Sequence, residues 1–157
     1  IYLFEGRPIL FKQKRIGKNC RKFTIYKFRT MIKDADKVGP YYTDVNDKRI
    51  TKIGSILRKT SLDEIPQILN LLIGDMGIVG PRPNVYIQKK LYTNEEWNLR
   101  NSVRPGITGL AQATKRSSAT QEERTALDLT YVSQKSFFMD VKIIFLTIKQ
   151  IFRSGGY

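Results

Sequence analysis

The sequence predicts an α+β domain, helix-rich, with a small β-hairpin near its N-terminus and amphipathic helices suited to a membrane interface. Three observations predict it. Two runs carrying β-branched and aromatic residues, Ile9 to Lys14 and Phe23 to Phe28, flank Gly17, Lys18 and Asn19, which is the pattern of two strands joined by a turn. Apolar residues recur at helical spacing after Ser61 and again after Ser136. The chain has 157 residues, 41% of them hydrophobic, enough for one core and unlike a disordered chain. Residues 1–157 are therefore expected to form one domain, without internal repeats.

Taken in order, the hairpin places Lys27 and Arg29 two apart and so on one face. Residues 34–50 hold the turn pair Gly39-Pro40 and many polar residues, predicting a loop with a short helix before it. Ile50 to Leu57 is a short amphipathic segment. Ser61-Leu62-Asp63-Glu64 then opens a helix in which Leu62, Ile65, Leu69 and Leu72 form a stripe expected to be buried, and Gly74 ends it. Gly74 to Pro83 is a Gly/Pro-rich connection, Tyr86 to Arg100 is helical in character, and Arg104 to Gly109 (RPGITG) reads as a fixed turn. After a polar loop at Lys115 to Thr120, helices are expected over residues 121–132 and 136–153. The last carries Phe137, Phe138, Val141, Ile144, Phe145, Ile148 and Phe152 on one broad side, with Lys142, Lys149 and Arg153 elsewhere. That side either packs on the core or lies in a membrane interface.

Composition narrows the chemistry. The 28 Lys and Arg against 14 Asp and Glu give a net charge of +14, and residues 12–33 hold nine of the cations with no acid. Such a field favours an anionic partner: nucleic acid, an anionic membrane surface or a phosphorylated substrate. The absence of histidine removes Ser-His-Asp and Cys-His catalysis and every His-dependent zinc signature, leaving carboxylate chemistry. One cysteine, Cys20, forms no intrachain disulfide and has no histidine to activate it. No apolar run reaches the roughly 18 residues of a membrane span. Asp44, Asn46 and Asp47 fail as a calcium loop, because Lys48 and Arg49 stand where an oxygen ligand and a glycine are needed.

Adjacent acids in so basic a chain draw attention to Asp63 and Glu64. Ser61-x-x-Glu64 fits a capping box, with Asp63 complementing the positive end of the helix dipole, although Pro66 complicates the register. The alternative is a carboxylate nucleophile beside a carboxylate that holds Mg²⁺, an arrangement that forms an acyl phosphate once cations shield the attack. Pro81-Arg82-Pro83 fixes one arginine between two residues of restricted φ, able to present a guanidinium to phosphate or simply exposed in a rigid turn; Arg104 before Pro105-Gly106 has the same two readings. Gly74, Gly77 and Gly80 match neither a dinucleotide fingerprint nor a Walker loop.

Four blocks in this order, KQKRIGKN, FTIYKFRTM, RKTSLDEIPQILNLLIGDMGIVGPRP and RPGITGLAQ, resemble the bacterial sugar transferase family, the monotopic phosphoglycosyl transferases, over nearly the whole chain. The resemblance implies an enzyme that moves a sugar-1-phosphate from a UDP-sugar to a polyprenol phosphate and releases UMP, the first membrane step of many bacterial glycans. It implies Asp63 as nucleophile and Glu64 as its partner with Mg²⁺. Lys27, Arg29, Arg58 and Arg82 are implied around the diphosphate, and Arg104 and Asp128 match further family positions. Members carry an N-terminal hydrophobic helix that re-enters the membrane from the cytoplasmic side; here it would precede Ile1. Gly77 stands where members often have Ser, and ATKRSSATQEER departs from a Gly-Arg-Asn stretch followed by Trp, departures that bear on the donor sugar. Location at the cytoplasmic face of the inner membrane follows from the resemblance, and a nucleic-acid partner does not.

Overall fold

The computed structural model describes residues 6–39, 47–115 and 118–154, with backbone alone at 36–37 and 151–154. The chain is mixed helix and sheet, as the pattern predicts. Strands β1 (Leu10–Ile16) and β2 (Lys22–Phe28) pair antiparallel, Leu10 opposite Phe28 and Ile16 opposite Lys22. The turn between them holds Asn19 and Cys20 at positive φ, and the Cys20 thiol is free and exposed. A short helix α1 (Ala35–Val38) follows. Residues 40–46, with Pro40, Asp44 and Asn46 of the polar loop, lie outside the described residues, as do residues 116–117 and the side chains of Phe152 and Arg153.

Helix α2 (Lys52–Lys59) is capped by Thr51, whose hydroxyl accepts from the Gly54 N–H. It packs so closely on the end of the hairpin that a Cβ at Gly54 would stand 2.0 Å from the Thr30 carbonyl oxygen. The chain then reverses at Ser61 (φ 57) into a 3₁₀ segment, Leu62–Gln67, continued by α3 (Ile68–Ile73), which Gly74 ends at φ 86. The predicted single helix is thus split. Pro66 has no N–H to close the first α-helical bond onto Leu62, so the first two turns are 3₁₀ and α-geometry starts after it.

Two expectations are corrected here. The apolar stripe of this segment faces outward: Leu62, Ile65, Ile68, Leu69, Leu72 and Ile73 are 44% to 79% exposed, whereas Asp63, Gln67 and Asn70 are buried. RPGITG is a strand, since β3 (Gly77–Val79) pairs parallel with β4 (Gly106–Thr108), Gly77 opposite Gly106. Gly106 is required there, because a Cβ would meet the Gly80 nitrogen at 2.1 Å.

The region predicted as helical after Tyr86 divides into a 3₁₀ segment, Tyr86–Leu91, and α4 (Asn94–Arg100), which opens with a capping box between Thr93 and Glu96. Among the described residues the α-helices that follow are α5 (Leu110–Thr114), α6 (Gln121–Gln134) and α7 (Phe137–Ser154). One apolar cluster joins Val79, Ala113, Tyr131 and Ile143; a second joins Phe23, Ile25 and Met76 under the hairpin. α7 touches the first cluster through Met139, Ile143, Ile144 and Leu146, while Phe137, Phe138, Val141, Phe145 and Ile148 are exposed. Of the two readings of this side, core packing holds only for the part around Ile144, and most of the rest faces away from the core. No helix among the described residues is long and apolar enough to cross a membrane.

Candidate active site

The site forms where the 3₁₀ segment lies against β2. Asn70 anchors it: its side-chain nitrogen donates to the Thr24 carbonyl at 2.7 Å, and its oxygen accepts from the Tyr26 N–H at 3.2 Å, so one fully buried carboxamide occupies the free edge of the strand. With about three residues per 3₁₀ turn, Glu64 and Gln67 are brought onto one side. Lys27 reaches across from β2 and donates to Glu64 Oε1 at 2.6 Å; Arg82 Nη2 donates to the same oxygen at 3.0 Å. Glu64 is therefore no helix cap. Ser61 makes no side-chain cap either, and the box anticipated as one alternative is absent.

The adjacent acids are held in different protonation regimes. Burial acts to raise Glu64, but Arg82 and Lys27, by charge and by hydrogen bond, override it and bring the carboxyl down to about 2. Asp63, 8% exposed, accepts no such hydrogen bond from a cation among the described residues; burial raises it above the ordinary aspartate range, the Glu64 charge adds to this, and Lys27, Arg58 and Arg82 work against it. Burial and Arg82 lower the Lys27 ammonium against the pull of Glu64. One acid is thus a fixed anion and its neighbour a buried carboxyl ringed by cations.

The other predicted residues fall at different distances from this pair. Arg58 acts electrostatically on Asp63 and donates from Nε to the Thr30 hydroxyl at 2.8 Å. Arg29 is buried just past β2 and donates to the Gly6 carbonyl at 3.1 Å. Arg104 is exposed and forms no hydrogen bond or ion pair among the described residues. Asp128 is buried in an ion pair with Arg100, 2.8 Å from Nη2, and Arg100 Nη2 also donates to the Arg82 carbonyl at 2.6 Å. Asp128 is thereby linked through Arg100 to the backbone of the Pro81-Arg82-Pro83 loop. Arg15, on β1, holds the next carbonyl of that loop, donating to Pro83 at 2.9 Å.

Sequence reasoning passed over Arg15, Gln67 and Arg100. Arg15 stood in a run of cations with nothing to mark it, and Arg100 has its acid 28 positions away. Gln67 carried one usable signal, its place three residues after Glu64 in a Pro-containing segment. As to metal, no three His, Cys, Asp or Glu converge among the described residues, so these residues offer at most the two carboxylates Asp63 and Glu64. That set fits Mg²⁺ in its usual manner of binding, through one or two carboxylates with the remaining positions left to water and substrate phosphate.

The family described as "Bacterial sugar transferase" matches residues 1–154. The chain belongs to the bacterial sugar transferase family. It is accordingly an enzyme sequence, a phosphoglycosyl transferase, as the ordered motifs imply. Among bacterial sugar transferases it is 44% identical to "Uncharacterized sugar transferase EpsL" of Bacillus subtilis (strain 168), over 96% of this chain and 73% of that protein. It is also 44% identical to "Exopolysaccharide production protein PSS" of Rhizobium leguminosarum bv. phaseoli, over the whole chain and 84% of that protein. The "UDP-glucose:undecaprenyl-phosphate glucose-1-phosphate transferase" of Escherichia coli (strain K12) is 42% identical over 94% of this chain, which spans 33% of that longer relative.

Proposed function

We propose that this sugar transferase moves a sugar-1-phosphate from a UDP-sugar to a polyprenol phosphate, releasing UMP, at the cytoplasmic face of the bacterial inner membrane as the first step of a glycan assembly. The observation that carries the proposal is the pairing of a buried, cation-ringed Asp63 with Glu64 clamped by Lys27 and Arg82. In the first half-reaction an Asp63 oxygen attacks the phosphorus that bears the sugar. The bond from that phosphorus to the bridging oxygen breaks, and UMP departs with the electron pair. In the second, an oxygen of the polyprenol phosphate attacks the same phosphorus, giving the polyprenyl diphospho-sugar and returning the Asp63 carboxylate.

Each cation has a task in this scheme. Lys27 and Arg82 stand where charge builds on the phosphoryl oxygens, and Arg58 lowers the cost of ionising Asp63. Glu64 keeps the two cations in place rather than sharing the attack. Mg²⁺, held by Asp63 and Glu64, would supply further neutralisation of the diphosphate.

The acceptor is a lipid, and the exposed apolar face of residues 62–73 lies on the same short segment as Asp63. We assign that face, with the exposed apolar side of α7, to an anionic membrane surface, which the net charge of +14 also favours. The test uses the full-length protein with Mg²⁺, polyprenol phosphate and a panel of UDP-sugars. UMP is expected from one donor and lost in Asp63→Asn and on chelation. Equal release by Asp63→Asn would remove Asp63 from the chemistry.

A further inference from the structure

A small cleft beside the acid pair holds two donors that the scheme above does not use. Gln67, 2% exposed, has its Nε2 buried with no hydrogen-bond partner among the described residues, and so does Arg15 Nε. Both side chains line the cleft together with Lys27 and Arg82, with Ile25 and Pro83 as walls, and the space has room for about one oxygen atom. An unmet buried donor is costly, so two at one place are a signal. Their common need is an acceptor. Three cations and an amide N–H surround the space, and the one carboxylate bonded there among the described residues, Glu64, is already engaged by Lys27 and Arg82. A water would bring two protons into a place that offers mainly donors, whereas an anionic oxygen brings only lone pairs. The Arg15 guanidinium is itself drawn down to about 10 by burial and by Arg82, a strain that an anion would relieve.

We propose that the cleft between Arg15 and Gln67 seats one non-bridging phosphoryl oxygen of the sugar nucleotide, with Gln67 Nε2 and Arg15 Nε as its donors. This rests on the donor being a nucleoside diphosphate sugar, and it makes Gln67 a substrate contact. Arg15 then has two duties, fixing the Pro83 carbonyl and meeting the phosphate.

The test separates a contact from a structural role. UDP and inorganic pyrophosphate are titrated against the full-length protein and its Gln67→Glu and Gln67→Met variants, with melting temperature read beside Kd. Gln67→Glu sets an acid among Arg15, Lys27 and Arg82, so the empty protein should melt no lower than wild type. Its affinity for both ligands should nevertheless fall by about tenfold or more. Gln67→Met should lose affinity several-fold with little change in melting.

Wild-type affinity for both ligands in both variants would overturn the proposal. So would losses that merely track melting, a loss confined to UDP, or a wild-type protein that binds neither ligand. Asp63-dependent UMP release at unchanged KM in the Gln67 variants would sink this seat and leave the proposed function standing. Ligand binding lost in the variants, from a protein that releases no UMP with any donor, would do the reverse.

Discussion

The two sides of the segment 62–73 invert the usual order of a protein helix. The side toward the hairpin carries Asp63, Gln67 and Asn70, all buried and polar, while the side toward solvent carries Leu62, Ile65, Ile68, Leu69, Leu72 and Ile73. The buried polar side is stabilised by partners: Asn70 on the edge of β2, and Glu64 between Lys27 and Arg82. The exposed side has no such account within the fold. Under the proposed function the difference lies in the medium each side meets, a bound phosphate on one side and an apolar phase on the other.

The largest effect that would sharpen this contrast comes from the ties that hold the inward side. Asp128→Ala leaves Arg100 buried and unpaired beside the Arg82 carbonyl, and should cost about 3 to 5 kcal/mol in chemical denaturation. A loss under 1 kcal/mol would show that the loop does not depend on that pair. Asn70→Leu strands the Tyr26 N–H and Thr24 carbonyl and should cost about 2 to 3 kcal/mol by the same measurement, even though leucine is the better helix former.

The outward side should respond in the opposite sense. Ile68→Glu with Leu72→Glu should change stability by no more than about 0.5 kcal/mol per site, while sedimentation with anionic vesicles falls tenfold or more. If the pair unfolds the protein and vesicle binding is unaltered, the face belongs to the core after all.

The smallest effect is in pH dependence. In the proposed reaction attack needs Asp63 ionised, so single-turnover UMP release should fall on the acid side with a midpoint above the ordinary aspartate value, because burial and Glu64 raise it. Glu64→Gln removes one raising influence and should move the residual midpoint to lower pH. The stability signs differ between the two acids. Glu64 is depressed to about 2 from the usual 4.5, so its contribution is complete above pH 4.5 and is lost as pH falls toward 2; the raised Asp63 opposes that loss. The acid limb of stability should therefore flatten in Glu64→Gln.

Much of this was legible in the sequence, and the failures share a cause. The hairpin was readable because its strands and turn are contiguous, and Gly74 because a left-handed helix end calls for glycine. The acid pair is legible as adjacent carboxylates, and the cations at 27, 58 and 82, which the family resemblance alone brings together, do lie around it. The direction of the apolar stripe was not, since periodicity marks a face and not what it meets. Nor was β4 readable: a three-residue parallel strand takes its pairing from Gly77–Val79, a distant partner that local pattern does not reveal. Pro66 is an irregularity in the sequence, and its consequence, a 3₁₀ segment that aligns Glu64 with Gln67, is visible only in the fold.

The most direct test of the account is the mass of the protein itself. Full-length protein is mixed with its UDP-sugar donor and Mg²⁺ without polyprenol phosphate, quenched, digested and examined peptide by peptide. The account predicts stoichiometric UMP and a sugar-phosphate added to the peptide that contains Asp63, discharged when polyprenol phosphate is supplied. Release of UMP only after the acceptor is added, with that peptide unmodified throughout, would contradict it and make the transfer direct.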